Sequence, residues 1–236
     1  MNLIDFKWNK KTYREFIQYL YSIQDIKYKE FHSKIAVTNN LIGIRSKEIK
    51  QLSKEISKGD YLNFIKYNEH NLYEEVMIHG LLLGYLKIPF QEILILLEEY
   101  IPYISSWAEV DGTVANLKIF KKNEEAGFKF SLELIQNENP WSKRVGIVLL
   151  MSYYLNELYI DTILNTIDSI NSDEYYVKMA IAWLISVAYV KQRNKTHTYL
   201  LRNNLDKWTH NKAIQKIKES FRVGKEDKDI LVTLKR

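Results

Sequence analysis

The segment Ser105-Ser106-Trp107-Ala108-Glu109-Val110-Asp111-Gly112-Thr113 sets an indole four residues before a carboxylate. With Ser106 as the cap of a helix, Trp107 and Asp111 become i and i+4 neighbours on one face. This pairing suits a cationic, sugar-like transition state: the anion stabilises an oxocarbenium ion or orients a water, while the ring face favours positive charge. The structural alternative is a core tryptophan beside an ordinary aspartate in a first turn, where the helix dipole favours acids. The segment by itself leaves both open.

Two further segments carry candidate groups. In Asn139-Pro140-Trp141-Ser142-Lys143-Arg144-Val145-Gly146 the Asn-Pro pair reads as an N-cap followed by its N1 proline, which puts Lys143 and Arg144 in the first turns. The forked guanidinium of Arg144 suits phosphate, or else pairs with a neighbouring acid while Trp141 packs between helices. The stretch from Val177 to Ser186 embeds Trp183 in apolar residues behind Lys178, and core packing is the default reading of that tryptophan. The eight glycines never cluster as a phosphate loop, which argues against nucleotide hydrolysis. His32, His70, His79, His197 and His210 never pair at metal-ligand spacing, and cysteine is absent, so neither a metal site nor a cofactor is expected.

Helices must position these groups. Only Pro89, Pro102 and Pro140 interrupt a chain rich in Lys, Glu, Leu and Ile, a composition that reads as all-α. Capping-box patterns occur at Asn71 with Glu74, Ser106 with Glu109 and Asn171 with Glu174, joined by Asn139-Pro140 and by Thr209. Successive starts are 35, 33, 32 and 38 residues apart, a period that fits repeated helix pairs. Partner helices are predicted over 89–100, 123–136, 157–170 and about 195–203. Upstream helices are predicted over 8–23 and 45–57, with a stop and a new start at Gly59 and Asp60, making twelve to fourteen helices in all. The expected fold is one right-handed solenoid of antiparallel helix pairs over residues 1–236, with function along its concave face.

The chain carries net charge +5, unevenly placed: Lys191 to Arg236 holds 13 basic and 5 acidic residues, net +8, and the rest is −3. Such a basic terminal region fits a phosphate-backbone partner or, more plainly, a solvated basic surface. The N-terminal residues lack an apolar signal segment, and runs such as Ala180 to Val190 fall short of a bilayer span of roughly 20 residues. A soluble cytoplasmic protein without membrane association is expected, and polar end repeats favour a monomer.

Taken in order and spacing, these three segments resemble the HEAT-like-repeat DNA alkylation repair proteins, the AlkD type of DNA glycosylase. The likeness begins near Asn39-Asn40-Leu41-Ile42-Gly43-Ile44-Arg45 and runs to about Phe221. It implies excision of positively charged N-alkylated purines, of the 3-methyladenine and 7-methylguanine type, from duplex DNA without base flipping. The leaving base is already cationic, so little acid catalysis is needed. On this resemblance Asp111 is the electrostatic or water-orienting residue, Trp107 and Trp183 are the two aromatics, and Arg144 is a backbone contact. Lys143, Lys178 and Lys212 join it as candidate DNA-binding cations. The chain departs from the family pattern in having Ser186 where an arginine is common, Lys47 for proline, Lys50 for arginine, and His210 and Asn211 at positions that are often basic. The stretch from Tyr28 to Asn40 is also short for the N-terminal helix that some members place in the minor groove. Two other readings follow from the same residues: a non-catalytic relative that binds DNA weakly or recognises damaged or branched forms, and a protein-interaction solenoid.

Overall fold

A computed structural model describes residues 1–35, 38 and 40–236; Asn39, at the start of the family resemblance, lies outside the described residues. The described residues form fourteen α-helices, two short 3-10 turns and no strand. The chain divides into two compact units, Met1–Ile119 and Phe120–Arg236.

The first unit contains α1 (Lys10–Ser22), α2 (Ile26–His32), α3 (Ser46–Ile56), α4 (Tyr61–Tyr67), α5 (Tyr73–Leu83), α6 (Phe90–Tyr100) and α7 (Trp107–Asn116). Its centre is α5, all eleven residues of which are buried; α3, α6 and α7 pack around it. A helix that is apolar around most of its circumference has no solvent face and must be surrounded in this way. Trp8, Phe16 and Phe64 close the N-terminal end through edge-on ring contacts of 4.9 to 6.1 Å.

The second unit contains α8 (Glu124–Gln136), α9 (Pro140–Tyr153), α10 (Ile160–Asp168), α11 (Tyr175–Lys191), α12 (Arg193–Arg202), α13 (Lys207–Glu219) and α14 (Lys225–Thr233). Here α11 is central, with α9 and α13 against its sides and α10 and α12 against it from the partner layer. The Asn139 cap is as read from the sequence: its side chain accepts from the Trp141 amide at 2.8 Å.

Helix existence follows the predicted pattern more closely than helix starts do. The first helices of successive pairs begin at residues 73, 107, 140, 175 and 207, intervals of 34, 33, 35 and 32. Glu109 caps α7 as expected, its carboxylate accepting from the Ser105 and Ser106 amides at 2.6 and 2.8 Å. Burial nonetheless pushes the Glu109 carboxyl above the ordinary glutamate range, against the pull of those bonds. Elsewhere the caps are corrected. α5 starts after Leu72, whose amide is held by Glu75 at 2.6 Å, and Glu74 is not part of a capping box. α11 starts after Glu174 and not Asn171, and α13 is capped by Asp206 and not opened by Thr209.

On α5 the buried His79 pairs with the half-buried His70 from the loop before the helix. His70 Nε2 and His79 Nδ1 are 2.9 Å apart, and the His70 ring stacks on Tyr103 at 3.6 Å. Burial, followed by the neighbouring His70, lowers His79 to about 3, and burial lowers His70 to about 4. Both are therefore neutral in the fold at pH values where an unfolded chain takes up protons. Stability should be constant above about pH 6.5 and fall as pH drops toward about 4, by about 1.4 kcal/mol per unit for a histidine kept fully neutral. In urea denaturation from pH 7.5 to 4.5, His79→Gln is expected to flatten this slope. An unchanged slope would mean that other groups set it.

Candidate functional site

In the first unit, four helices each turn one stripe of side chains into a single cleft of about 270 Å³. Helical periodicity makes the stripes: Tyr28 and His32 on α2, Ser46, Ile49 and Lys50 on α3, Tyr73, Met77 and Leu81 on α5, and Trp107 and Asp111 on α7. Trp107 and Asp111 are both half-buried, Trp107 as the first residue of the helix and Asp111 one turn on. The wall beside them is largely aromatic and aliphatic, and Lys50 is the cation on it. His32 lies edge-on to Tyr73 at 5.4 Å; burial holds its imidazole below the ordinary histidine range, opposed by the nearby Glu74 charge. A neutral imidazole and an aspartate in one partly dry cleft are the groups able to handle a proton or a developing positive charge there.

The loop that positions two of these stripes is held by one carboxylate. Glu74, fully buried on α5, accepts from the amides of Ile42, Gly43 and Ile44 at 3.1, 2.7 and 3.1 Å. Gly43 has φ +96°, and a Cβ there would lie 2.7 Å from both the Asp25 carbonyl oxygen and Lys29 Cβ, so only glycine fits. The Asp25 amide donates to the Gly43 carbonyl at 2.9 Å, and Arg45 reaches back to the Asp25 carboxylate at 2.6 Å. Through these bonds Glu74 fixes the beginnings of both α2 and α3, and with them Tyr28, His32 and Lys50.

In the second unit, Trp183, Ser186, Val187 and Val190 form one stripe of α11 at i, i+3, i+4 and i+7. They line a cleft of about 280 Å³ with Lys216, Glu219, Ser220 and Arg222. Trp183 is half-buried and faces this cleft, whereas the Ser186 hydroxyl turns back onto the Trp183 carbonyl at 2.8 Å. Lys191, at the end of the same helix, is held below the ordinary lysine range by burial and by the charges of Lys121 and Arg222. The cleft itself carries two cations, Lys216 and Arg222, and one acid, Glu219, which lies 3.9 Å from the Lys216 ammonium.

The remaining candidate cations all have partners inside the second unit. Arg144 is buried, donates to the Tyr176 carbonyl at 2.8 Å and lies 6.0 Å from the Tyr176 ring centroid. Lys143 reaches the Ile135 carbonyl at 3.5 Å, Lys178 lies between Asp173 and Asp206 at 3.4 and 3.6 Å, and Lys212 sits over the Trp208 ring at 5.5 Å. His32, Tyr73, Lys216 and Arg222 are additional cleft residues that no local motif marks.

These features define a class: an all-α protein of repeated helix pairs, with a tryptophan and carboxylate in one cleft and a second tryptophan in a basic one. A family model described as DNA alkylation repair enzyme matches residues 16–217, and the chain belongs to that family. No curated protein sequence gives a significant match. Among the described residues, no helix is long and apolar enough to cross a membrane.

Proposed function

We propose that this repair protein is a DNA glycosylase that excises positively charged N-alkylated purines from duplex DNA without flipping the base. The single observation behind the proposal is that Trp107 and Asp111 share a half-buried cleft with Lys50. Asp111 stabilises the oxocarbenium character that develops at the sugar and orients the attacking water. Trp107 presents a ring face to the same charge. A cationic leaving purine needs no proton from the protein, so the cleft need not supply a general acid. Trp183 is the second aromatic, and Arg144, Lys143, Lys178 and Lys212 are proposed DNA contacts, Arg144 through the segment it braces.

Release of 3-methyladenine and 7-methylguanine from methylated duplex DNA, measured at low salt without a heating step, tests the proposal. Wild-type protein is expected to release both, with binding that weakens steeply as salt rises because phosphate contacts free counterions. Binding with no release from any alkylated substrate would favour a non-catalytic DNA-binding relative, the reading that Ser186 and the inward-facing Arg144 support. Salt-insensitive binding would point instead to a protein-interaction surface.

A further inference from the structure

In the second unit a chain of aromatic rings crosses the starts of α9, α11 and α13. Trp141 stacks on Tyr176 at 5.2 Å and 29°, Tyr176 meets Tyr175 edge-on at 5.3 Å, and Tyr175 meets Trp208 at 5.7 Å and 59°. The inner half of this row is consumed by packing, because Tyr176 is covered by Trp141 and by the Arg144 guanidinium. Its outer half is open: Tyr175 is 56% exposed and Trp208 39%. Rings that served only to join helices would be expected to be covered, as Tyr13 and Phe16 are in the first unit.

Lysines stand beside the open pair, among acids that largely pair with Lys178. Lys212 stands 5.5 Å from the Trp208 ring centroid, and Lys207 is exposed next to it in the chain. Of the neighbouring acids, Asp206 is occupied: it accepts from the Trp208 and Thr209 amides and the Thr209 hydroxyl, and lies 3.6 Å from the Lys178 ammonium, whereas Glu174, next to Tyr175 in the chain, is exposed. Asp173 pairs with the same lysine. A flat ring carrying a phosphate matches tilted aromatic faces with lysines beside them.

From this arrangement we propose that Tyr175 and Trp208 form a stacking site for an unpaired nucleobase of DNA, with Lys207 and Lys212 on the adjoining phosphates. Bases inside an intact duplex are already stacked, so the site acts only where a base is unpaired, at a bulge, gap or frayed end. The inference rests on the DNA partner that the family implies and not on base excision, so failure of the glycosylase reading leaves it standing.

The test uses undamaged DNA and the full chain, at equilibrium. A duplex with a single bulged 2-aminopurine and its fully paired counterpart are titrated in parallel. Expected results are quenching of the bulged base on binding and about tenfold tighter binding of the bulged duplex, the scale of one base–aromatic stack. The double variant Tyr175→Ala, Trp208→Ala should lose quenching and preference while keeping paired-duplex affinity, which also reports that it is folded. Lys207→Gln with Lys212→Gln, which leaves both rings in place, should lower the salt slope of bulge binding by about 2. Equal binding of the two duplexes without quenching, or preference retained in the ring variant, would overturn the proposal. So would an unchanged salt slope in the lysine variant.

Discussion

Asp111→Asn should slow purine release by about 100-fold while leaving DNA affinity intact or slightly improved. The physical case is electrostatic. A carboxylate about 4 Å from a developing unit charge is worth about 4 kcal/mol at an effective dielectric of 20, near 10³-fold in rate, and far less in bulk water. Asp111 is half-buried, between those limits, so a loss on the order of 100-fold is expected. Asparagine keeps shape and hydrogen-bonding capacity, and removes one negative charge from a polyanion-binding surface. Trp107→Ala removes only a ring–cation interaction of about 1–2 kcal/mol, and should cost roughly tenfold. Single-turnover release from methylated duplex DNA separates these effects from binding. An Asp111→Asn protein that excises at the wild-type rate would remove Asp111 from the mechanism. One that loses binding and thermal stability together would assign it a structural role.

How much of this was legible in the sequence depends on the distance over which each feature is determined. The cleft stripe of α7 is local: a serine cap, a glutamate three residues on and an i, i+4 pair are enough to align Trp107 with Asp111. The Asn139 cap and the partner helices α6, α8, α10 and α12 are similarly local, and were readable from apolar spacing. Sequence signals misled where a residue is recruited from far along the chain. Asn71 with Glu74 has the form of a capping box, yet Glu74 is taken by amides thirty or more residues upstream, and Glu75 does the capping. Arg144 has the charge of a phosphate ligand, but bonds a carbonyl 32 residues away that no local pattern announces. The helices α2 and α14 bury at most one residue each and carry no apolar stripe to betray them. For the same reason no local pattern marks His32 as a cleft residue: the Glu74 bonds that hold residues 42–44 against the start of α2 join groups far apart in the chain.

Glu74 is accordingly where the largest loss of stability is expected. Its carboxylate is fully buried and satisfies three consecutive amides, and each amide left without an acceptor in a dry interior costs about 1–3 kcal/mol. Water can re-enter a partly opened loop and recover some of this, so Glu74→Ala should cost at least about 3 kcal/mol, placing it among the severe single substitutions. Glu74→Gln is the sharper test. It is nearly isosteric, but one carboxylate oxygen becomes an amide nitrogen, a donor facing donors, so it should retain the bond from Gly43 and lose support at Ile42. A cost of about 2 kcal/mol follows, seen as a lower urea midpoint at unchanged m. Because the loop leads directly into α3 and is tied to α2 through Asp25 and Arg45, both variants should also reduce purine release more than they reduce binding. The cleft would lose the placement of His32 and Lys50 while the cations of the second unit stay where they are. Wild-type stability in Glu74→Gln would mean that the turn at Gly43 holds itself. The positioning of α2 and α3 would then have to come from their own packing against α5.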